Sequence, residues 1–356
     1  MYNYQTLFDF TKNLFIKTGC SIQDATVVAD VLIAAELRGI ESHGLLRIPD
    51  YYNLWKNKRI NVTPDIKVVH ETPSTAVVDG DSSFGMITGK KAMQLAIDKA
   101  KAVGTGWVSV RNSNHFGIAG YYAMMALKHD MIGITMTNAN PLVAPTFSID
   151  RLLGTNPIAV AVPAGKQPPY VADFATTPIA RGKLDLMHKK GKQAPLGYVQ
   201  DKEGNPSTDP NILTQGGAIV PLGGDYEHGS HKGYCLGSIV DIFSAVLSGA
   251  GYGPWVPPSV AYLPVKENPD VKGTGHFFGA MRIDAFRPAA EFKEIMDKWI
   301  LTFRNSKADN LHEKVLIPGD PEREMEKIRM KEGIPVMPIV VEKINQIAEE
   351  LGVEKI

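Results

Sequence analysis

The chain has 356 residues, of which 44% are hydrophobic and 21% charged, and its 38 basic residues balance its 38 acidic residues. This composition is that of a globular protein of one or two domains, and the charge balance argues against a nucleic-acid partner. Two distant cysteines, Cys20 and Cys235, and an N-terminus without a signal-peptide pattern predict a cytoplasmic protein, and the longest apolar stretch (236–247) is too short to span a membrane.

The first two thirds of the chain predict helices followed by an alternation of strands and helices. Apolar residues at helical spacing, closed by Gly19 and Gly39, predict two N-terminal helices, and a third is expected to begin after Ser42. The predicted strands are 66–69, 75–78, 107–110, 132–137, 158–162 and 170–173, and the predicted helices between them are 90–103 and 119–128. This alternation favours a mixed α/β fold.

The last third predicts a long loop and further helices. Residues 182–231 are rich in Gly, Pro and polar residues, which predicts a functional or mobile loop. Residues 233–248 are apolar on nearly every side, which predicts a buried helix. After a strand at 277–283, an amphipathic helix and further helices close the chain. We therefore expect a helical domain built from both chain ends (1–70 and 288–356) and an α/β domain between them (71–287).

The chain lacks the glycine signatures of common nucleotide folds. No Gly-x-Gly-x-x-Gly sequence and no Walker A sequence occurs, and the glycine-rich stretches at 249–253 and 273–276 have the wrong spacing. A Rossmann domain is therefore not predicted.

The segment Glu41 to Arg47 brings a serine, a histidine and an arginine together. Taken alone, Ser42 is better explained as the N-cap of the third predicted helix. However, His43 and Arg47 are four residues apart and would project from one helix face. A proton donor active near neutral pH beside a fixed cation suits a substrate whose carboxylate adjoins a reacting carbonyl.

A second candidate follows a predicted strand, at residues 113–117. A lone histidine such as His115 is more often structural, and its place at a strand-to-helix turn makes a functional role equally good as an interpretation. Backbone N–H groups of the next helix, near Gly117 and Ala119, could receive a phosphate.

Further polar turns follow apolar strands, at residues 137–141, 154–157 and 173–182. Several such turns in succession are typical of the edge of a ligand site. Lys232 lies near a predicted helix N-terminus, where the helix dipole disfavours a cation, so a bound anion would explain it. The alternative is an ordinary solvated lysine.

Five short sequences together resemble one known family. They are Ser42-His-Gly with Arg47, Asn114-His-Phe-Gly, Gly154-Thr-Asn-Pro, Asp173-Phe-Ala and His231-Lys-Gly-Tyr. In this order they resemble the malate/L-lactate dehydrogenases, a family that includes ureidoglycolate and sulfolactate dehydrogenases and diketogulonate reductase. The resemblance implies a non-Rossmann NAD(P)-binding α/β fold, NAD as cofactor with NADP as the alternative, and a homodimer with its sites near the subunit interface.

The resemblance also implies roles for individual residues. Ser42 and His43 would form the proton-transfer pair, with His115 as a competing acid/base, and Arg47 would bind the substrate carboxylate. Thr155 and Arg181 are also assigned to the substrate, and no metal site is predicted. The residues assigned to the cofactor are His115, Phe116, Gly117, Ile118, Ala119, Asn138, Asn140, Asp173, Phe174, Ala175, Lys232, His276, Phe277 and Phe278.

One departure from the family concerns the substrate. Imine- and ketone-reducing relatives carry an acidic residue after the Arg-Gly that matches Arg181-Gly182, whereas this chain has Lys183. Because Arg181 or Lys183 could bind a second carboxylate, malate and oxaloacetate are favoured over lactate and pyruvate. The alternatives are a reductase of another 2-oxo acid or imine, and a non-catalytic nucleotide-binding protein.

Overall fold

A computed structural model describes residues 1–188 and 190–356 in full and Lys189 by its backbone alone. The α-helices are α1 (Tyr4–Lys17), α2 (Ile22–Leu37), α3 (Ile48–Lys56), α4 (Gly85–Val103), α5 (Ala119–Met125), α6 (Arg181–Lys189), α7 (Ser230–Asp241), α8 (Ala289–Arg304), α9 (Asp320–Glu332) and α10 (Pro338–Leu351). The strands are β1 (Lys67–Glu71), β2 (Thr75–Asp79), β3 (Thr105–Ser113), β4 (Met131–Thr137), β5 (Ile158–Val162), β6 (Tyr170–Phe174), β7 (Val199–Gln200), β8 (Pro206–Ser207), β9 (Ala218–Ile219) and β10 (Thr274–Arg282).

The mixed α/β fold is confirmed, and its main sheet is mostly antiparallel. Its strand order is β1-β2-β3-β10-β4-β5-β6, with β2 and β3 parallel and the other neighbours antiparallel. The last strand, β10, lies between β3 and β4, so that His276 pairs with Thr137 on one side and Val110 on the other. This insertion makes β3, β10 and β4 neighbours, although β10 follows β4 by more than a hundred residues in the chain.

Helices α4 and α5 cover one face of this sheet. In β4 buried and half-buried residues alternate, as expected for a strand with one face on the core. A Cβ added at Gly133 would overlap the backbone oxygen of Ala123, so glycine lets α5 lie directly on the strand. Tyr122 and Phe278 are fully buried between these layers, and each such side chain contributes about 1.5–3 kcal/mol through burial.

Helices from the two chain ends pack together. Helix α10 contacts α1 and α3, α9 contacts α2, and Tyr2 pairs with Ile334 across an isolated β-bridge. The same hydrophobic core continues from these helices to the sheet, so the division of the chain into two domains stays a prediction. In the described part of the chain, no helix is both long and apolar enough to cross a membrane.

Three predictions about individual elements are wrong. The third helix does not begin after Ser42, because two 3-10 turns (Glu41–His43 and Leu45–Arg47) precede α3. The predicted loop at 182–231 contains α6 and the small sheet β8-β7-β9, which has its own core around Val199 and Ile219.

The third error concerns the helix predicted to be buried. Helix α7 continues into a π-helical segment, Ile242–Val246, and part of this continuous element faces solvent. Ile242 is 50% exposed and Val246 is 57% exposed. An apolar segment of this kind therefore lies at the surface of the single chain, not in its core.

Candidate active site

Two 3-10 turns place Ser42, His43 and Arg47 side by side. The Ser42 hydroxyl lies 2.9 Å from His43 Nδ1. Arg47 Nε donates to the backbone oxygen of Ser42 (2.8 Å), and its Nη1 donates to Asp50 (3.2 Å). Neither contact uses Arg47 Nη2, which is able to donate to a carboxylate. The predicted grouping is present, although turns joined at Gly44 produce it and not one helix face.

His115 stacks against His43 from the turn that follows β3. The two rings are 5.5 Å apart at an angle of 27°. The Tyr51 hydroxyl lies 2.7 Å from His115 Nδ1, and the backbone N–H of Gly117 points at the same nitrogen from 3.4 Å. Because a backbone N–H only donates, Nδ1 is an acceptor and the proton of His115 sits on Nε2. The Gly117 N–H thus fixes the tautomer of His115, and the Tyr51 hydroxyl donates to the same nitrogen.

Both imidazoles are neutral at pH 7. Burial and the nearby Arg47 charge lower the pKa of His43 to about 4. Burial, His43 and Arg47 hold the pKa of His115 well below its usual value. Both side chains remain partly accessible, so a substrate can reach them. Perturbed histidines of this kind, next to a fixed cation, are typical of catalytic sites.

Helix α6 begins next to this group. A Cβ added at Gly182 would lie 3.8 Å from the Cβ of Ser42. Arg181 donates to the Tyr262 hydroxyl (3.1 Å) and approaches Asp185 (3.8 Å), and both Arg181 and Lys183 border the start of this helix. The predicted second substrate anchors therefore flank the Ser42 turn.

The remaining polar turns form one connected edge. Asn156 accepts from the Ala139 backbone (3.1 Å) and donates to the Gly237 oxygen in α7 (2.9 Å). The Thr176 backbone and hydroxyl both donate to the Thr155 oxygen. These bonds join the turns at 137–141, 154–157 and 173–177 to α7. The expectation that these turns lie together is met by the geometry.

Several residues assigned to the cofactor are buried in the single chain. His276 is fully buried, and its two ring nitrogens contact Thr137 (2.7 Å) and Ser113 (2.8 Å). Burial lowers its pKa to about 3. The other buried members of the set are Phe116, Gly117, Ile118, Ala119, Asn138, Phe277 and Phe278. These residues pack in the core of the single chain, and their assignment to the cofactor stays a prediction.

The N-terminus of α5 already holds an anion. Asp173 accepts from the Gly120 backbone N–H at 2.7 Å, and Gly117 N–H points at His115. Surrounding protein atoms raise the pKa of Asp173 to about 6, while Gly120 and the charge of Arg38 act in the opposite direction. The Asp173 carboxylate would oppose a phosphate at this helix N-terminus, and the expectation that the helix receives a phosphate stays a prediction.

Helix α7 offers the better anion site. It begins after Gly229, which has φ +91°, and Lys232 is exposed in its first turn. Among the described residues, no side chain caps this helix, and the buried His231 Nδ1 has no hydrogen-bond partner. A helix N-terminus without a side-chain cap and a cation in its first turn suit the diphosphate of a nicotinamide dinucleotide. Asn140, Phe174 and Ala175 remain accessible at nearby turns.

Sequence reasoning gave no role to Tyr51. It is 1% exposed and reads as a core residue of α3. Its contact with His115 joins residues that are 64 positions apart. No local pattern signals such a contact, and only a co-varying Tyr–His pair in related sequences could have revealed it.

The fold and the site define a dehydrogenase of 2-hydroxy acids that uses a nicotinamide cofactor. The chain belongs to the malate/L-lactate dehydrogenase family, whose model matches residues 2–345. It is 43% identical to the malate dehydrogenase of Pyrococcus horikoshii, over 98% of this chain and 94% of that protein. It is 42% identical to the L-sulfolactate dehydrogenase of Methanocaldococcus jannaschii, over 94% of this chain and 93% of that protein.

A solved structure agrees with these relationships. The malate dehydrogenase of Entamoeba histolytica superposes with a TM-score of 0.92 at 35% identity, and the match covers 99% of this chain and 98% of that one. The alternative of a non-catalytic binding protein is therefore set aside, and the resemblance seen in the sequence is confirmed.

Proposed function

We propose that the protein is an NAD-dependent malate dehydrogenase, with NADP as the alternative cofactor. The reaction is reversible hydride transfer between C4 of the nicotinamide and C2 of the hydroxy acid. The observation that carries the proposal is the grouping of two neutral histidines with Arg47, which leaves Nη2 able to bind a carboxylate. When bound, the nicotinamide supplies or accepts the hydride.

The two histidines have different roles in this proposal. A general base for alcohol oxidation needs a free nitrogen lone pair, and His115 accepts at Nδ1 and is protonated at Nε2. His115 is thus a fixed donor to the substrate oxygen. His43 faces the Ser42 hydroxyl, which both donates and accepts, so His43 can change protonation without losing its partner. We therefore assign the acid/base role to His43 with Ser42.

The substrate carboxylate at C1 binds Arg47 in this arrangement. Arginine presents paired donors that match a carboxylate, and the two bonds from its Nε and Nη1 hold it in place. Holding C2 close to the hydride donor supplies much of the catalysis, because a bound reaction needs no further collision.

The proposal includes a homodimer of this chain. Exposed apolar side chains follow one another along α7 and its π-helical extension: Tyr234, Ile239, Ile242, Phe243, Val246 and Leu247, which we call the α7 stripe. Contiguous apolar surface of this kind is typical of a protein interface. A twofold axis would place each stripe against its counterpart, in agreement with the homodimer that the family resemblance implies.

The test of the substrate compares oxaloacetate with pyruvate. Malate dehydrogenase activity predicts a kcat/KM ratio well above one, because a group that binds the second carboxylate would be left unpaired by pyruvate. Arg181→Ala and Lys183→Ala, measured separately, show which residue is that group, and the ratio should fall by about tenfold or more in one of them. Lys190→Ala, at the far end of α6, is the matched control.

Two results would contradict parts of this proposal. A wild-type ratio near or below one excludes malate as the preferred substrate. A high ratio that neither variant changes keeps malate and removes Arg181 and Lys183 as anchors. Running each assay with NADH and with NADPH decides the cofactor.

A further inference from the structure

A buried carboxyl group lies directly behind the Ser42–Arg47 turns. Glu36, near the end of α2, is 3% exposed and accepts from the Leu45 backbone N–H at 2.8 Å. A Cβ added at Gly44 would overlap Glu36 Oε1. The φ of Gly44 is −98°, which suits any residue, so backbone conformation does not explain the glycine. The close approach of Glu36 does, because it leaves no room for a Cβ.

Helix α9 holds the same segment from the opposite end of the chain. Arg329, which is 6% exposed, donates from Nη1 to the backbone oxygen of Glu36 and from Nη2 to the Glu41 carboxylate. Glu41 opens the first 3-10 turn and Leu45 opens the second. Arg329 therefore binds the first turn through Glu41, and Glu36 binds the second turn through Leu45. We call Glu36 and Arg329 the turn clamp.

We propose that the turn clamp positions the catalytic turns, and that Glu36 and Arg329 are positioning residues for the reaction. The inference rests on the proposed function of His43 and Arg47. Short 3-10 turns form few internal backbone hydrogen bonds, so contacts with the rest of the protein fix the position of these two turns. A shift of about 1 Å in a reacting group can cost about a hundredfold in rate, which makes such contacts matter for catalysis.

A purely structural clamp would behave differently. Burial raises the pKa of Glu36 to about 7, and the loss of a buried polar contact often affects folding alone. Loss of the clamp would then lower the melting temperature and leave the folded enzyme fully active. A positioning role instead predicts altered kinetics well below the melting temperature.

The test uses Arg329→Met with Arg329→Lys and a control. We expect Arg329→Met to lower kcat by about tenfold or more and to raise KM for the 2-oxo acid, with the NADH Kd from fluorescence titration unchanged. Arg329→Lys should recover part of the loss, because its single ammonium group can still donate to one of the two acceptors. Glu326→Gln is the control, since Glu326 accepts a hydrogen bond from Arg38, which follows α2, and neither bonds to the turns.

The Glu36 side chain provides a second set of variants in case Arg329→Met fails to fold. Glu36→Gln keeps an acceptor for Leu45 and should retain near wild-type kcat, whereas Glu36→Ala should resemble Arg329→Met. If folded Arg329→Met and Glu36→Ala both have wild-type kcat and KM and only a lower melting temperature, the positioning role is wrong.

A readout that needs no turnover separates this inference from the proposed function. Diethyl pyrocarbonate modifies His43, and peptide mass spectrometry gives the rate at that residue. We expect at least a threefold change in this rate in Arg329→Met and none in Glu326→Gln. If wild type reduces no 2-oxo acid, the proposed function fails, while the modification rates still test the clamp. Equal modification rates of His43 in wild type and Arg329→Met would contradict the positioning role of the turn clamp.

Discussion

At the scale of single residues, the site depends on which nitrogen of each histidine carries the proton. Tyr51 and the Gly117 backbone both occupy Nδ1 of His115, whereas a serine hydroxyl faces Nδ1 of His43. Two imidazoles that stack at 5.5 Å therefore differ in chemistry. One is a fixed donor, and the other is able to exchange a proton.

The first prediction separates the two histidines. His43→Ala should lower kcat by about two to four decades, as expected for loss of general acid–base catalysis, with cofactor affinity near normal. His115→Ala should have the smaller effect on kcat, because it removes one hydrogen bond to the substrate oxygen. Steady-state kinetics and NADH titration measure both. The opposite order would assign the acid/base role to His115.

The second prediction concerns Tyr51. Tyr51→Phe removes the shorter of the two hydrogen bonds to His115 Nδ1 and should lower kcat by about tenfold, because only the longer Gly117 contact then holds the ring and its tautomer. Tyr52→Phe is the matched control, since its hydroxyl contacts Glu350 at 2.7 Å on the other side of α3. The loss of the buried Tyr51 hydroxyl should cost about 0.5–1.5 kcal/mol in unfolding free energy. Equal kcat in the two variants would remove the proposed role of Tyr51.

At the scale of secondary-structure elements, two helix N-termini face the site and differ in what they can bind. The N-terminus of α5 holds the Asp173 carboxylate, while that of α7 presents Lys232 and lacks a side-chain cap among the described residues. Because each helix N-terminus attracts negative charge, α7 is the one suited to a phosphate group.

The third prediction tests α7 as the cofactor site. Lys232→Ala should weaken NADH binding by about 1.5–3 kcal/mol, the value of a charged hydrogen bond, without changing the order of preference among 2-oxo acids. Lys298→Ala is the control, since Lys298 pairs with Glu294 on α8. A fluorescence titration that gives equal affinity in wild type and Lys232→Ala would exclude Lys232 from the site.

At the scale of the whole molecule, the α7 stripe is the largest difference between expected and observed burial. Val246 and Leu247 are 57% and 58% exposed, although their segment has the apolar composition of a core helix. Burial in an interface would remove these apolar side chains from water, as burial in a core would.

The fourth prediction tests this interface. Val246→Glu places a charge in the stripe and should convert a dimer to a monomer, because an unpaired charge is costly in an apolar contact. Light scattering coupled to size-exclusion chromatography gives the mass. Leu311→Glu is the control, since Leu311 is 87% exposed and lies outside the stripe. A wild-type mass of one chain would contradict the homodimer.

The sequence by itself determined the class of fold, the family and the short motifs of the site. Local spacing predicts the strands of the main sheet, and the motifs around Ser42, His115 and Lys232 are contiguous in the chain. Signals of this kind need only neighbouring residues, because hydrophobic periodicity and turn chemistry act within a few positions.

Tertiary structure decided which of those motif residues are accessible and what holds them. The insertion of β10 between β3 and β4 buries His276 and Phe278, which the motif alone assigned to the cofactor. The contacts from Tyr51 to His115 and from Arg329 to Glu36 span 64 and 293 positions. The physical reason is that strand order and long-range packing depend on the free energy of the whole core, which local sequence patterns do not encode.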